Sequence, residues 1–451
     1  MNSTGIRNPW LWVPTLYFAE GIPYFIVNNI SVTMFTQLGV PNGEMALFTS
    51  LLYLPWTLKP LWSPFIDIVG TKRRWIVVMQ ALVAAMLIVL TLTLPRPDAQ
   101  LIASHATPVS LFSLTLILFV ITAFASATHD IAADGFYMLA LTEHQQAAYV
   151  GLRSVFYRLS NIFCNSLLVF VAGWLQTRGT AIPLSWQYTL GASALLFTLL
   201  ALWHNVFLPR RQNDKPAEDT AAAQQQTRDG HTFRQVMRDF GYTFVTFFRK
   251  PGILVALLFM LLFRLPEAFL LKMVTPFMLG GADTGGIGIT LEQYSLIYGM
   301  TGVVSLLLGG VLGGLFAAKH GLRNSFWLMA LAITLPDAVY LWLSLSGGTS
   351  MLWLSVAVAV EQFGYGFGFT AYMLYLMYFS AGERQTSHYA LCTAFMALGM
   401  MLPGMVAGYV QETVGYTAFF ALVMVFCLVT LLVTELVRRT VNPQYGKKQQ
   451  D

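Results

Sequence analysis

Long apolar runs separated by short polar breaks organise this chain from end to end. They lie near 10–37, 45–64, 75–95, 110–141, 151–175, 184–208, 251–279, 291–315, 324–346, 350–380, 387–411 and 415–437. A helix needs roughly 20 residues to cross about 30 Å of hydrocarbon, so the pattern predicts twelve membrane-spanning helices. The runs are continuous and rich in Leu, Met, Ala and Phe, unlike the ten-residue alternation of a membrane β-barrel. The first run is too long for a signal-peptide core, has no small-residue cleavage pattern behind it and carries Glu20. It is therefore expected to be retained.

Composition agrees: 451 residues with 56% hydrophobic and 10% charged side chains exclude a water-soluble protein of this size. Charge then sets orientation. With the N-terminus inside, the inner loops and tails collect most of the 26 Lys and Arg, and the outer loops hold only Arg96 and Arg178. That asymmetry places both termini in the cytoplasm, as expected for a multi-pass protein of a bacterial inner membrane. The net charge of +5 is thus a topology signal and gives no reason to propose nucleic acid. Cys164, Cys392 and Cys427 fall inside predicted helices without ligand spacing, so they read as packing residues, and no metal or cofactor is implied.

The long hydrophilic stretch at 209–250 divides the spans six and six. The expected organisation is an N-terminal half (1–208), a cytoplasmic linker (209–250), a C-terminal half (251–438) and a tail (439–451). The linker opens with the flexible composition QNDKPAEDTAAAQQQTRDG and continues with Phe233, Met237, Phe240, Phe244 and Phe247 at helical spacing. Two placements fit this amphipathic segment: on the cytoplasmic membrane surface, or packed on the underside of the bundle. A weak repeat, FYMLAL at 136–141 and AYMLYL at 371–376, accords with two related halves.

An ionisable side chain at bilayer depth is costly unless paired or hydrated, so each is a functional candidate. Glu20 lies in the first span, Asp130 and Asp134 in the fourth, Arg264, Glu267 and Lys272 in the seventh, and Glu361 in the tenth. Asp130 and Asp134, four apart, share a helix face. Two carboxylates on one apolar face disfavour double ionisation, which suits a group that loads and releases a proton, whereas His129 points away from them. Arg264 and Glu267, three apart, can pair within their helix. Arg158 matches Asp134 in depth on the next helix and is its expected partner, as a strut or a gate. Lys59 and Glu435 are close enough to helix ends to snorkel, and Asp337 has no evident role. Tyr24 beside Glu20 and Tyr365 beside Glu361 can stack on sugar faces or simply pack. Gly21-Ile-Pro23 and Gly364-Tyr-Gly366-Phe-Gly368 permit bending.

The turn after the second span, Asp67-Ile-Val-Gly70-Thr-Lys72-Arg73-Arg74, resembles the loop signature of the major facilitator superfamily, whose fold is two six-helix halves. The first, fourth, seventh and tenth spans, which carry the interior charges, line the central cavity of that fold. The segment ATHDIAADGFYML resembles the Ala-Thr-Gln-Asp-Ile-x-x-Asp stretch of AmpG-type muropeptide permeases and the related acetyl-CoA transporters. PTLYFAEGIPYF, LPWTLKPLWSPFID, FRLPEAFLLKMVTPFML and SHYALCTAFMALGMMLPGMVAGYVQETVGYTAFF extend that likeness across both halves.

The resemblance implies a proton-driven importer of anhydro-muropeptides or their amino sugars, acting by alternating access as a monomer. Asp130, Asp134 and Glu267 would couple protons. Glu20, Tyr24, Arg264, Lys272, Glu361 and Tyr365 would line the substrate cavity, and Asp67, Lys72, Arg73, Arg74 and Arg158 would serve structure or gating. His129 stands where the family commonly has Gln, and Pro266 where it has Gly, which leaves other cargoes open: a CoA thioester, a siderophore or a drug-like anion. A nucleotide-binding loop or a nucleophile constellation is missing from the sequence, so a pump or an enzyme lacks its parts. A membrane sensor would need a soluble output domain, and a lipid-acting enzyme would need catalytic residues clustered at one interface.

Overall fold

The computed structural model describes residues 8–94, 109–210, 233–346, 350–382 and 385–445, and these are helical almost throughout. A single turn at Pro9–Leu11 leads into α1 (Val13–Phe25), a wider π turn over Ile26–Ile30 and α2 (Ser31–Gln37). Then come α3 (Asn42–Leu51), α4 (Leu54–Ile68), α5 (Lys72–Thr93), α6 (Val109–Ala140) and α7 (Glu143–Ile162). The chain continues through Phe163–Leu168 into α8 (Val169–Thr177), then α9 (Ile182–Phe207) and α10 (Phe233–Phe248). Next are α11 (Ile253–Leu262), α12 (Leu265–Leu279) and α13 (Leu291–Tyr294), which passes through Ser295–Gly302 into α14 (Val303–His320). α15 (Leu322–Thr334), α16 (Ala338–Ser346), α17 (Met351–Ser380) and α18 (Gln385–Arg438) complete the order.

Among the described residues, eight helical stretches are long and apolar enough to cross a membrane. The expected first, second and tenth spans are not among them. Lys59 and a break after Leu51 interrupt the second, and Gly, Tyr and Gln dilute the apolar character of α17. Two further expected spans are merged in α18, whose 54 residues would measure about 80 Å if straight. That is more than twice the hydrocarbon thickness, and Gly415, at φ 75° and ψ 169°, breaks the helix.

Contacts divide the chain into two units. The first comprises Met1–Ser31 with Leu58–Phe240. Here α5 packs on α6 and α9, and α1 packs on α7 and α6. Trp12, Tyr17, Ile66, Phe136 and Tyr137 form a buried aromatic core, with Trp12 meeting Phe136 edge-on at 5.3 Å between ring centres. Thr71 starts α5 by accepting from the Arg74 N–H, and a Thr142–Gln145 capping box starts α7.

The second unit comprises Val32–Thr57 with Gly241–Asp451. Its core gathers Phe259, Phe263, Phe326, Tyr372 and Tyr375. α17 runs unbroken, so its glycines serve contact rather than bending. A Cβ at Gly364, Gly366 or Gly368 would run into the carbonyl oxygens of Ala332, Leu306 or Met329, and this glycine face lets α14 and α15 approach the α17 backbone. The last turn of α10 is packed against α17 and α18. Phe247 is fully buried beside Phe379 and Phe395, and the Thr246 hydroxyl meets His388 Nε2 at 3.1 Å. Lys250 then donates to the carbonyls of Phe379 and Ala381 at 2.6 and 2.8 Å, closing the end of α17. Burial there pulls the Lys250 ammonium below the usual lysine range. The side chains of Phe233, Met237 and Phe240 lie outside the described residues.

Within this second unit the first turn of α3 sits on α18. Asn42 Nδ2 donates to Gln411 Oε1 at 2.7 Å, and the Gly43 N–H donates to Glu412 Oε1 at 2.9 Å. A carboxylate from another helix thus satisfies one of the orphan donors at the α3 N-terminus. A Cβ at Gly408 would collide with the Asn42 carbonyl, and one at Gly43 with the Tyr409 ring.

Candidate functional site

The charged residues of the first unit converge from four helices. Asp130 and Asp134 project from one face of α6, as their spacing requires. Lys59 of α4 donates to Asp130 Oδ2 at 3.0 Å, and Arg153 Nη2 of α7 lies 2.8 Å from Asp134 Oδ1. Tyr17 of α1 donates to the same Asp134 oxygen at 3.3 Å, and the Arg153 guanidinium sits 4.4 Å over the Tyr17 ring. Glu20, one turn beyond Tyr17, is 7% exposed, and its Oε2 is buried with no hydrogen-bond partner among the described residues.

Two expected placements change. Arg158 is exposed, and Asp134 pairs with Arg153 instead. Helical phase separates the two arginines: five residues at 3.6 per turn rotate a side chain by about 140°, so equal depth does not bring Arg158 to Asp134. Lys59 does not snorkel outward, because a carboxylate stands within hydrogen-bond reach inside. The fourth span also supports a polar chain that the sequence reading missed. His129 Nε2 accepts from Gln80 Nε2 at 3.0 Å, His204 Nδ1 donates to Gln80 Oε1 at 3.0 Å, and His204 Nε2 meets the Thr15 hydroxyl at 2.9 Å. Gln80 and His204, lone polar residues in apolar runs, were the available signal.

The loop signature has a mechanical part. Arg73 donates to the carbonyls of Asn205 and Leu208 and so closes the C-terminal end of α9. The Lys72 stem lies against Gly135, and Arg74 is exposed. The side chain of Asp67 falls outside the described residues. Tyr24 packs edge-on to Phe25 and near Tyr157.

In the second unit, Pro266 interrupts the seventh expected span between α11 and α12, because proline has no N–H to donate to the carbonyl four residues back and its ring clashes with that carbonyl. Arg264 stands at the N-cap position of the new helix without a side-chain cap bond and donates to Glu267 in two hydrogen bonds of 2.9 Å, while its Nη2 donates to the Tyr365 hydroxyl at 2.7 Å. The bidentate fork and the Phe369 ring 4.8 Å below neutralise and fix this pair. Glu361 accepts from Tyr340 at 3.1 Å and from Gln362 at 2.9 Å. Asp337 sits in a tight turn between α15 and α16, buried beside the Cys427 thiol. Lys272 donates to Thr49 Oγ1 at 3.0 Å and lies 5.3 Å over the Tyr53 ring. Among the described residues it has no carboxylate partner. Glu435, at the other extreme, pairs with Arg438 and Arg439 at the end of α18.

The sequence model of the Major Facilitator Superfamily matches residues 15–377. The chain belongs to the major facilitator superfamily. It is thus a multi-pass membrane protein of a transporter family rather than an enzyme. Across 415 residues it is 23% identical to the anhydromuropeptide permease of Escherichia coli strain K12, covering 90% of this chain and 74% of that protein. An uncharacterized protein of Haemophilus influenzae is 24% identical over 417 residues, covering 89% of this chain and 88% of that one. Among solved structures, a D-xylose–proton symporter superposes with a TM-score of 0.69 at 13% identity, covering 97% of this chain and 98% of the other. A mutant of the nucleoside transporter NupG gives 0.67 at 14%, covering 96% and 100%. At such identities these two likenesses speak for the facilitator fold alone.

Proposed function

We propose that this facilitator imports anhydro-muropeptides or their amino sugars across the bacterial inner membrane, driven by protons, through alternating access of twelve spans. The likeness to the Escherichia coli anhydromuropeptide permease along nine-tenths of the chain carries the cargo assignment. Support for energy coupling comes from the partly buried cluster of Glu20, Lys59, Asp130, Asp134 and Arg153, since a proton added there changes the charge balance among α1, α4, α6 and α7. Lys272 is the natural contact for an anionic group of the cargo, because Arg264 is already neutralised by Glu267. Both termini are assigned to the cytoplasm by the charge asymmetry of the loops.

Radiolabelled uptake into proteoliposomes under an imposed proton gradient tests the reading, with anhydro-muropeptide compared against free amino sugars. Accumulation of the anhydro compound that collapses with a protonophore supports it. Accumulation that ignores the proton gradient removes the coupling, and transport of a CoA thioester in preference to either sugar removes the cargo.

A further inference from the structure

Among the described residues, the charges of this cluster leave one acid over. Three carboxylates, Glu20, Asp130 and Asp134, face two cations, Lys59 and Arg153. Asp130 has its own ammonium and Asp134 its own guanidinium at hydrogen-bond distance. Among the described residues Glu20 has neither, and one of its oxygens is buried without a hydrogen-bond partner. An isolated carboxylate in a low-dielectric interior is far less stable than the same group neutralised, so the surplus negative charge is removed by binding a proton where pairing fails.

We propose that Glu20 is the group that carries the translocated proton, with Asp130 and Asp134 engaged in ion pairs by Lys59 and Arg153. This deepens the proton-coupled reading above and rests on it. The step is one of proton transfer only. An O–H bond forms between a Glu20 carboxylate oxygen and a proton taken from hydronium on one side, and the same bond breaks to water on the other.

Every charged group around Glu20 enters the count. Tyr17 on its own helix already donates to Asp134. Lys59 from α4, Asp130 and Asp134 from α6 and Arg153 from α7 act on Glu20 through space. His204 of α9 and His129 of α6 are occupied with Gln80, and Arg158 of α7 is exposed. The arrangement predicts a rule: the number of protons bound by the cluster equals its acids minus its cations. Asp130→Asn therefore also empties Glu20 of its proton, because Lys59 then needs a new anion.

Infrared difference spectroscopy of the full-length protein in lipid nanodiscs at pH 7 reads this directly, since a protonated carboxyl and a carboxylate absorb in separate regions. Glu20→Gln minus wild type should show the loss of one carboxylic-acid C=O band, and Lys59→Met minus wild type the gain of one. An unchanged carboxylic-acid region in Glu20→Gln overturns the proposal, and so does a Lys59→Met spectrum without a new band if Glu20→Gln fails to fold. In proteoliposomes, Glu20→Gln should lose gradient-driven accumulation of anhydro-muropeptide at least tenfold. Full accumulation by Glu20→Gln overturns the assignment. Absence of any transport by the wild type, with the infrared bands as expected, sinks the cargo reading and leaves the proton site standing.

Discussion

Replacing Asp134 with Asn takes from the Arg153 guanidinium its hydrogen-bonded carboxylate and leaves it beside the rings of Tyr17 and Tyr137. Removing Arg153 leaves Asp134 with the Tyr17 hydroxyl. Either single change breaks the ion pair and shifts the proton count of the cluster, whereas Asp134→Asn with Arg153→Gln removes both partners together. Double-mutant cycles on groups in contact measure coupling of about 0.5–3 kcal/mol. Because both side chains are a third or more exposed, the lower part of that range is expected. Thermal unfolding of the four purified variants checks it, and strictly additive losses would mean the pair is incidental. At this scale the sequence was partly legible. Two acids four apart on an apolar helix announced a charged site, and Arg264 with Glu267 announced a pair. The identities of the cations could not be read, because Lys59 and Arg153 reach Asp130 and Asp134 from other helices, and their azimuth depends on how those helices are rotated. A lone Glu20 gave no sign that it would be the acid left without a cation.

At the scale of elements, hydrophobic runs located helices well because membrane burial demands continuous apolar length. They located interruptions poorly. Pro266 breaks the seventh run between α11 and α12, whereas the three glycines of α17 leave their helix unbroken and let α14 and α15 approach it. A glycine's role depends on what stands opposite, which lies elsewhere in the chain. The amphipathic linker illustrates the same limit, since five apolar residues at helical spacing suit a membrane surface or a protein surface equally. Phe247 decides the matter for its last turn by sitting in the core with Phe379 and Phe395. Phe247→Ala should cost about 3–5 kcal/mol at that contact. Hydrogen exchange should accelerate across Thr243–Arg249 while the rest of the second unit stays protected. Unchanged exchange there would show that the docking is held by other residues.

For the molecule as a whole, the positive charge of the inner loops makes a testable statement about sidedness. A reporter fused after residue 225 should read cytoplasmic, and one fused near Thr107 periplasmic. Opposite readings would invert the order of every span.

The seat of α3 on α18 carries a consequence for how the protein distributes itself among its conformations. Gly43, Gly408 and the carbonyl of Asn42 meet so closely that even one methyl group is excluded, so the contact is either fully made or absent. Alternating access, as proposed above, would make and break such a contact, and its balance could then be biased by volume alone, without touching a charge. Gly408→Ala should disfavour the seated form by about 1–3 kcal/mol, equivalent to a roughly 5- to 150-fold change in population. A cysteine placed at Asn42 reports that population through its rate of alkylation by a membrane-impermeant maleimide, and the rate should rise at least fivefold when Gly408→Ala is added. If it does not, the glycines only fill space. If it does, residue volume at Gly408 becomes a dial that holds the protein at chosen points of its cycle.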